Sequence, residues 1–137
     1  MRTGYIIAAV VLLAVAALFF FSSSKTENWK MEGWYTFDEG KKLSEESGKE
    51  MFVFIGTDSC SVCKKFRQFF TTNKTAMAFI EENFIPVYVD ANRERPVSVF
   101  AVPTFCLGRA ANLSCFNAAS PQQLMDILME HTSKTGG

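Results

Sequence analysis

Residues 51–55, Met-Phe-Val-Phe-Ile, form an unbroken apolar run, and a short turn later the chain reads Cys60-Ser61-Val62-Cys63. An apolar run of that length suits a strand covered on both faces, which needs neighbouring strands and a layer of helices on either side. Beyond the first cysteine the period changes. Val62, Cys63, Phe66, Phe69 and Phe70 fall on one face of a helix, and Lys64, Lys65, Arg67 and Gln68 fall on the other. A buried strand that delivers two cysteines to the start of a helix restricts the fold more than any other segment.

The flanking sequence supplies the remaining layers. Thr36-Phe37-Asp38-Glu39 has the form of a capping box and predicts a helix to about Ser47, with Gly48 ending it. A second short helix is expected over residues 75–82, and a strand over 84–89, broken near its start by Pro86. Residues 97–102 lead into Pro103. Residues 104–107 and 113–116 predict a closing hairpin that turns through 109–112. Ser120-Pro121 opens a last helix with Leu124, Ile127 and Leu128 facing inward. This order predicts an α/β domain with a central mixed sheet and helices on both faces. With 14 Phe and 48% hydrophobic residues, a core can form without metal or disulfides. Lys+Arg and Asp+Glu balance at 14 each, which leaves no basic excess for nucleic acid.

The N-terminus is of another kind. Residues 4–21 make 18 positions without a charge, or about 27 Å of helix, close to the hydrocarbon thickness of a bilayer. The expectation is a transmembrane signal-anchor over residues 1–24, a linker over 25–33 and a folded domain over 34–137. A cleaved signal peptide with its site at Ser22-Ser23-Ser24 fits less well. The run is longer than the usual apolar region of such peptides, and Phe19-Phe20-Phe21 stands where small residues belong. Arg2 opposes Lys25 and Lys30 across the span. A short N-terminal tail usually stays in the cytoplasm, which predicts a single-pass protein of the cell inner membrane with its domain on the periplasmic or extracytoplasmic side. Trp29 and Trp34 are candidate interfacial anchors, with Trp34 equally suited to be the first core residue.

The cysteines carry the chemistry. Unpaired N–H groups and the dipole at a helix start stabilise a thiolate, which favours Cys60 as nucleophile. Cys63, three residues on, is placed to resolve the mixed disulfide that Cys60 forms. Zinc would need two more ligands, and Cys106 and Cys115, with eight residues between them, do not resemble a zinc ribbon. His131 is assigned to the solvated face of the last helix and is not a ligand, so no metal is expected. A copper carrier is a further use of two thiolates, but no Met-rich or His-rich tract accompanies them. Cys106 and Cys115 oppose one another if the hairpin forms; a cross-strand disulfide and two buried apolar fillers are both open readings. Asp90 reads as a strand-end turn former or a neighbour of the dithiol helix, and residues 92–95 as a solvated charged loop. Phe66, Phe69 and Phe70 read as core. Asn112-Leu113-Ser114 matches a glycosylation acceptor.

The strand–CxxC–helix of residues 51–70, the strand ending in Val89-Asp90, and Val102-Pro103-Thr104 together resemble the thioredoxin superfamily over roughly residues 34–132. The resemblance implies a thioredoxin-like three-layer fold, a cis Pro103 beside the dithiol, and substrate pairing with the backbone of Val102, Pro103 and Thr104. The leading helix and Lys49-Glu50-Met51-Phe52-Val53-Phe54 are similar to the C-terminal periplasmic domain of the bacterial transmembrane disulfide reductase. The implied function is a membrane-tethered thiol–disulfide oxidoreductase acting on extracytoplasmic proteins. It would draw electrons from a membrane or periplasmic donor and need no cofactor. The alternative is a thioredoxin-fold binding or assembly subunit without redox turnover. This chain departs from the family pattern at several positions. Ser59 stands where an aromatic often precedes the first cysteine, Phe54 replaces the buried acid, and Pro86 aligns with its partner lysine. Asp58 is the nearest carboxylate and a candidate for proton handling, or else a solvated turn residue. The Ser-Val pair between the cysteines lacks the His of strongly oxidising members, which points to a reductase or electron-transfer role. Asn117, where relatives often have Gly, is compatible with a left-handed backbone.

Overall fold

The structure is a computed structural model that describes residues 2–21 and 31–136. Ser22, Ser23, Ser24, Lys25, Trp29 and Lys30, and with them most of the expected linker, lie outside the described residues. The N-terminal run forms a helix, α1 (Arg2–Phe21), whose last four side chains are also outside the description. Among the described residues, no helix is long and apolar enough to cross a membrane.

The elements that follow are α2 (Phe37–Ser47), β1 (Met51–Gly56), α3 (Ser61–Thr72), α4 (Lys74–Asn83), β2 (Ile85–Asp90), β3 (Thr104–Arg109), β4 (Asn112–Phe116) and α5 (Pro121–Thr135). The capping box forms at α2. Glu39 N–H donates to the Thr36 hydroxyl, and Thr36 N–H donates to the Glu39 carboxylate. Gly48 ends the helix at φ 77°, a left-handed position that costs a glycine little.

The strand order is β2-β1-β3-β4, with β1 parallel to β2 and antiparallel to β3. All six residues of β1 are buried, as a central strand covered on both faces requires. The alternation of side chains then divides the core. Phe52, Phe54, Tyr88, Phe105 and Leu107 pack against α3, α4 and α5. Met51, Val53, Val87, Val89 and Cys106 pack on the opposite face, with Phe37 and Leu43 of α2 and the loop residues Val97, Val99 and Val102. Gly40 lets α2 approach β2 closely, since a Cβ there would run into the Val87 side chain.

Four local expectations are corrected. Pro86 does not break β2, which runs through it from Ile85 to Asp90. A proline is tolerated here because β2 lies at the sheet edge, where among the described residues only Tyr35 adds to it, donating its N–H to Pro86 O at 2.9 Å. Phe84 is the cap of α4 rather than a strand residue. The hairpin is longer and its turn tighter than expected, leaving only Ala110 and Ala111 between β3 and β4. In α5 the buried residues are Leu124, Met125 and Leu128, while Ile127 is half-buried.

A loop with no helix or strand joins β2 to β3. Asp90 opens it as a turn former, accepting from Asn92 N–H at 2.9 Å. Glu94, in the same loop, has a buried carboxylate oxygen without a hydrogen-bond partner among the described residues. Desolvation, reinforced by the nearby charges of Asp38 and Asp90, raises its pKa. The native state therefore holds this proton more tightly than the unfolded chain. The stabilising effect of the protonated form is present below the ordinary carboxylate range and is lost as pH rises through the raised native value. Glu94→Gln is expected to raise the melting temperature at pH 7 by a few degrees, with the gain vanishing near pH 4. Calorimetry at the two pH values checks it, and a lower melting temperature at pH 7 would contradict it.

Candidate active site

The two cysteines of the CxxC differ in every respect that matters to exchange. Cys60 is the N-cap of α3, with extended backbone and a sulfur that accepts the Cys63 N–H at 3.1 Å. Cys63 sits inside the first turn, fully buried between α3 and the sheet. The two are joined as a disulfide, with Cα atoms 5.2 Å apart. Cys60 remains partly exposed, so an incoming sulfur can reach it and not its partner. The helix N-terminus that now donates to its sulfur would stabilise a Cys60 thiolate in the reduced form.

Val102–Pro103 is a cis peptide bond, and Val102 O lies 3.8 Å from Cys60 Sγ. The turn is fixed from two sides. Thr104 Oγ1 donates to Ala101 O at 2.7 Å, and the Asn117 side-chain amide donates to Pro103 O at 2.9 Å. Asn117 therefore acts through its side chain. Among the described residues no non-glycine has a positive φ, so the left-handed backbone expected there is absent. A carboxamide is long enough to bond across from β4, whereas a left-handed turn would have needed a glycine.

Arg67 was assigned to the solvated face of α3, and the structure places it elsewhere. Its Nη1 donates to Tyr88 Oη at 2.8 Å and to Thr57 O at 3.2 Å, and it lies 3.8 Å from the Asp58 carboxylate. One turn after Cys63, it ties the turn at 57–59 to the helix. Burial raises the Tyr88 pKa above 10, and Arg67 opposes that rise; the phenol is neutral at pH 7. Asp58 is largely exposed and turned toward Arg67. The Phe54 ring lies among Trp34, Phe66, Phe70, Tyr88 and Phe105. Trp34 is thus partly buried and packs against the core. His131 is not wholly solvated, since its Nε2 lies 2.9 Å from Glu50 Oε2 and its ring is 6.1 Å from that of Phe84. No cluster of three potential metal ligands occurs among the described residues.

Cys106 and Cys115 are paired across β3 and β4 and bridged. Cys106 faces the α2 side of the sheet, the opposite side from Cys63, so the two disulfides do not exchange directly. The bridge closes a short loop at a sheet edge, and loop-closure entropy gives it at most about 2–3 kcal/mol. Cys115→Ser is expected to lower stability by up to that amount and leave the Cys60–Cys63 reaction unchanged. Denaturant unfolding and thiol turnover of the same sample check both halves. A loss of turnover in the folded variant would contradict the separation.

Residues 33–108 match the thioredoxin-like family, and the chain belongs to that family. It is 63% identical over 99 residues to an uncharacterized protein of Archaeoglobus fulgidus, covering 72% of this chain and 78% of that one. Among solved structures, it is similar to a thioredoxin from Thermus thermophilus, with a TM-score of 0.62 and 18% identity, covering 79% of this chain and 92% of that one. A disulphide isomerase from Xylella fastidiosa matches with a TM-score of 0.53 and 15% identity, over 69% and 87% of the two chains. At such identities the likeness bears on the fold.

Proposed function

We propose that the chain is a thiol–disulfide oxidoreductase, held at a membrane by its N-terminal segment, that passes electrons to disulfides of extracytoplasmic proteins. The observation that carries this reading is the asymmetry of the dithiol: a reachable Cys60 at a helix N-terminus and a buried Cys63 one turn inside. In the reduced form the Cys60 thiolate attacks a substrate disulfide. One substrate sulfur leaves as a thiolate and takes up a proton, and the other is held as a mixed disulfide. Cys63 then loses its proton and attacks Cys60, the mixed disulfide breaks, and the second substrate thiol is released. The substrate gains two electrons and the Cys60–Cys63 bond forms. An external dithiol must reduce that bond again, a role that falls to a membrane or periplasmic donor.

The tether is supported by the uncharged run of residues 4–21. The second reading, a binding or assembly subunit without turnover, is favoured by Phe54, which puts a ring where a proton acceptor would serve Cys63. Catalysed reduction of insulin by dithiothreitol, measured with the full chain in phosphatidylcholine nanodiscs, separates the two. The first reading predicts acceleration; absence of any acceleration, with partners retained after loss of both cysteines, would favour the second. Resistance to alkaline carbonate extraction tests the tether, and release into the supernatant would dismiss it.

A further inference from the structure

Outside α1, the large apolar side chains exposed among the described residues are Tyr35, Val62, Phe100 and Met129. Two of these four lie on the segments that carry the site, the CxxC and the approach to cis Pro103. Val62 lies between the cysteines and is 42% exposed; Phe100 is 107% exposed, two residues before Val102. Val102 in turn has its carbonyl 3.8 Å from Cys60 Sγ. The exposure of Phe100 does not come from a slack loop. Its neighbours Val97, Val99 and Val102 are packed against the apolar cluster on the α2 face, and Ala101 O is held by Thr104 Oγ1 at 2.7 Å. The anchoring of these valines turns the intervening Phe100 outward. An exposed aromatic side chain on an anchored backbone is a typical contact for a partner's apolar side chain.

We infer that Phe100, with Val62, is a specificity-determining contact that selects protein disulfides flanked by a large apolar residue. This rests on the oxidoreductase reading above and names the class of substrate it would take. Geometry supports an extended segment as the occupant. Phe100 stands two positions before Val102, at most about 7 Å along the chain. An extended substrate whose cysteine meets Cys60 carries the residue two positions away over the same distance. Electron flow is unchanged from the scheme above; Phe100 touches only the substrate and takes no part in bond making.

The test uses the reduced full chain in phosphatidylcholine nanodiscs, with dithiothreitol as electron source. Two disulfide-linked peptides of equal length and charge are compared, one with Leu and the other with Ser two residues from its cysteine. The wild type is expected to prefer the Leu peptide by about tenfold in kcat/KM, mainly through KM. Phe100→Ala is expected to reduce the preference to near unity, and Phe100→Leu to recover most of it. A wild type that turns over both peptides equally overturns the inference and leaves the oxidoreductase reading standing. A wild type that turns over neither overturns both. If Phe100→Ala slows the two peptides alike, the ring serves the fold, lipid contact or self-association, and the inference is likewise wrong.

Discussion

Cys63→Ser is expected to convert the chain into a trap. Incubated with disulfide-containing proteins, it should accumulate mixed disulfides through Cys60 that dithiothreitol releases, and its steady-state reduction of insulin should fall by at least about a thousandfold. Cys60→Ser should lose turnover to the same extent and accumulate nothing. The contrast follows from position. Cys60 caps α3 and is partly exposed, whereas Cys63 is fully buried in the core between α3 and the sheet. Only the first can meet an external disulfide, and only the second is placed to release what the first has captured. Non-reducing electrophoresis followed by mass spectrometry identifies the linked cysteine. Equal trapping by both variants would mean that the burial difference does not govern the order of attack.

The second large effect concerns the Phe54 ring at the centre of the aromatic cluster. Phe54→Ala should cost about 3–5 kcal/mol, a large share of the stability of an ordinary domain. In a domain of this size that corresponds to a fall in melting temperature on the order of 15–30 °C. Phe54 lies 5.1 Å from Phe105 and 5.2 Å from Tyr88, centroid to centroid, with Phe66 and Phe70 at 6.1 Å. Its removal leaves a cavity under the dithiol helix that rigid aromatic neighbours cannot close. Phe54→Leu should lose less, since it fills most of the same space. Thermal unfolding of the two variants checks the order. A Phe54→Ala protein as stable as the wild type would show that the aromatic cluster does not hold α3 to the sheet.

The parts of the fold that were legible in the sequence are those set by local chemistry. Thr36 and Glu39 announce α2 because a capping box is a contact within four residues. The run at 51–55 announces the central strand because burial on both faces removes polar residues altogether. Ser120-Pro121 opens α5 for the same local reason, with Ser120 accepting from Gln123 N–H. What sequence could not supply depends on long-range pairing. Arg67 has the spacing of a solvated residue, and its real partners, Tyr88 and the Thr57 carbonyl, lie in other elements. Asn117 suggested a backbone conformation, whereas its side chain reaches Pro103 O fourteen residues away. The Pro86 reading failed because no local pattern says that β2 is an edge strand. No local pattern within 97–102 marks Phe100, since only the anchoring of Val97, Val99 and Val102 turns it outward.

The central claim, that Cys60–Cys63 is a working redox couple and not a structural bridge, is tested most directly by its reduction potential. The full chain is equilibrated in redox buffers, its free thiols are alkylated, and each cysteine is followed by mass spectrometry. The account predicts a two-electron transition at Cys60 and Cys63 near the roughly −270 mV of thioredoxin, with Cys106 and Cys115 still bridged at that point. A Cys60–Cys63 pair that stays oxidised below about −300 mV, in the range of structural disulfides, would contradict it.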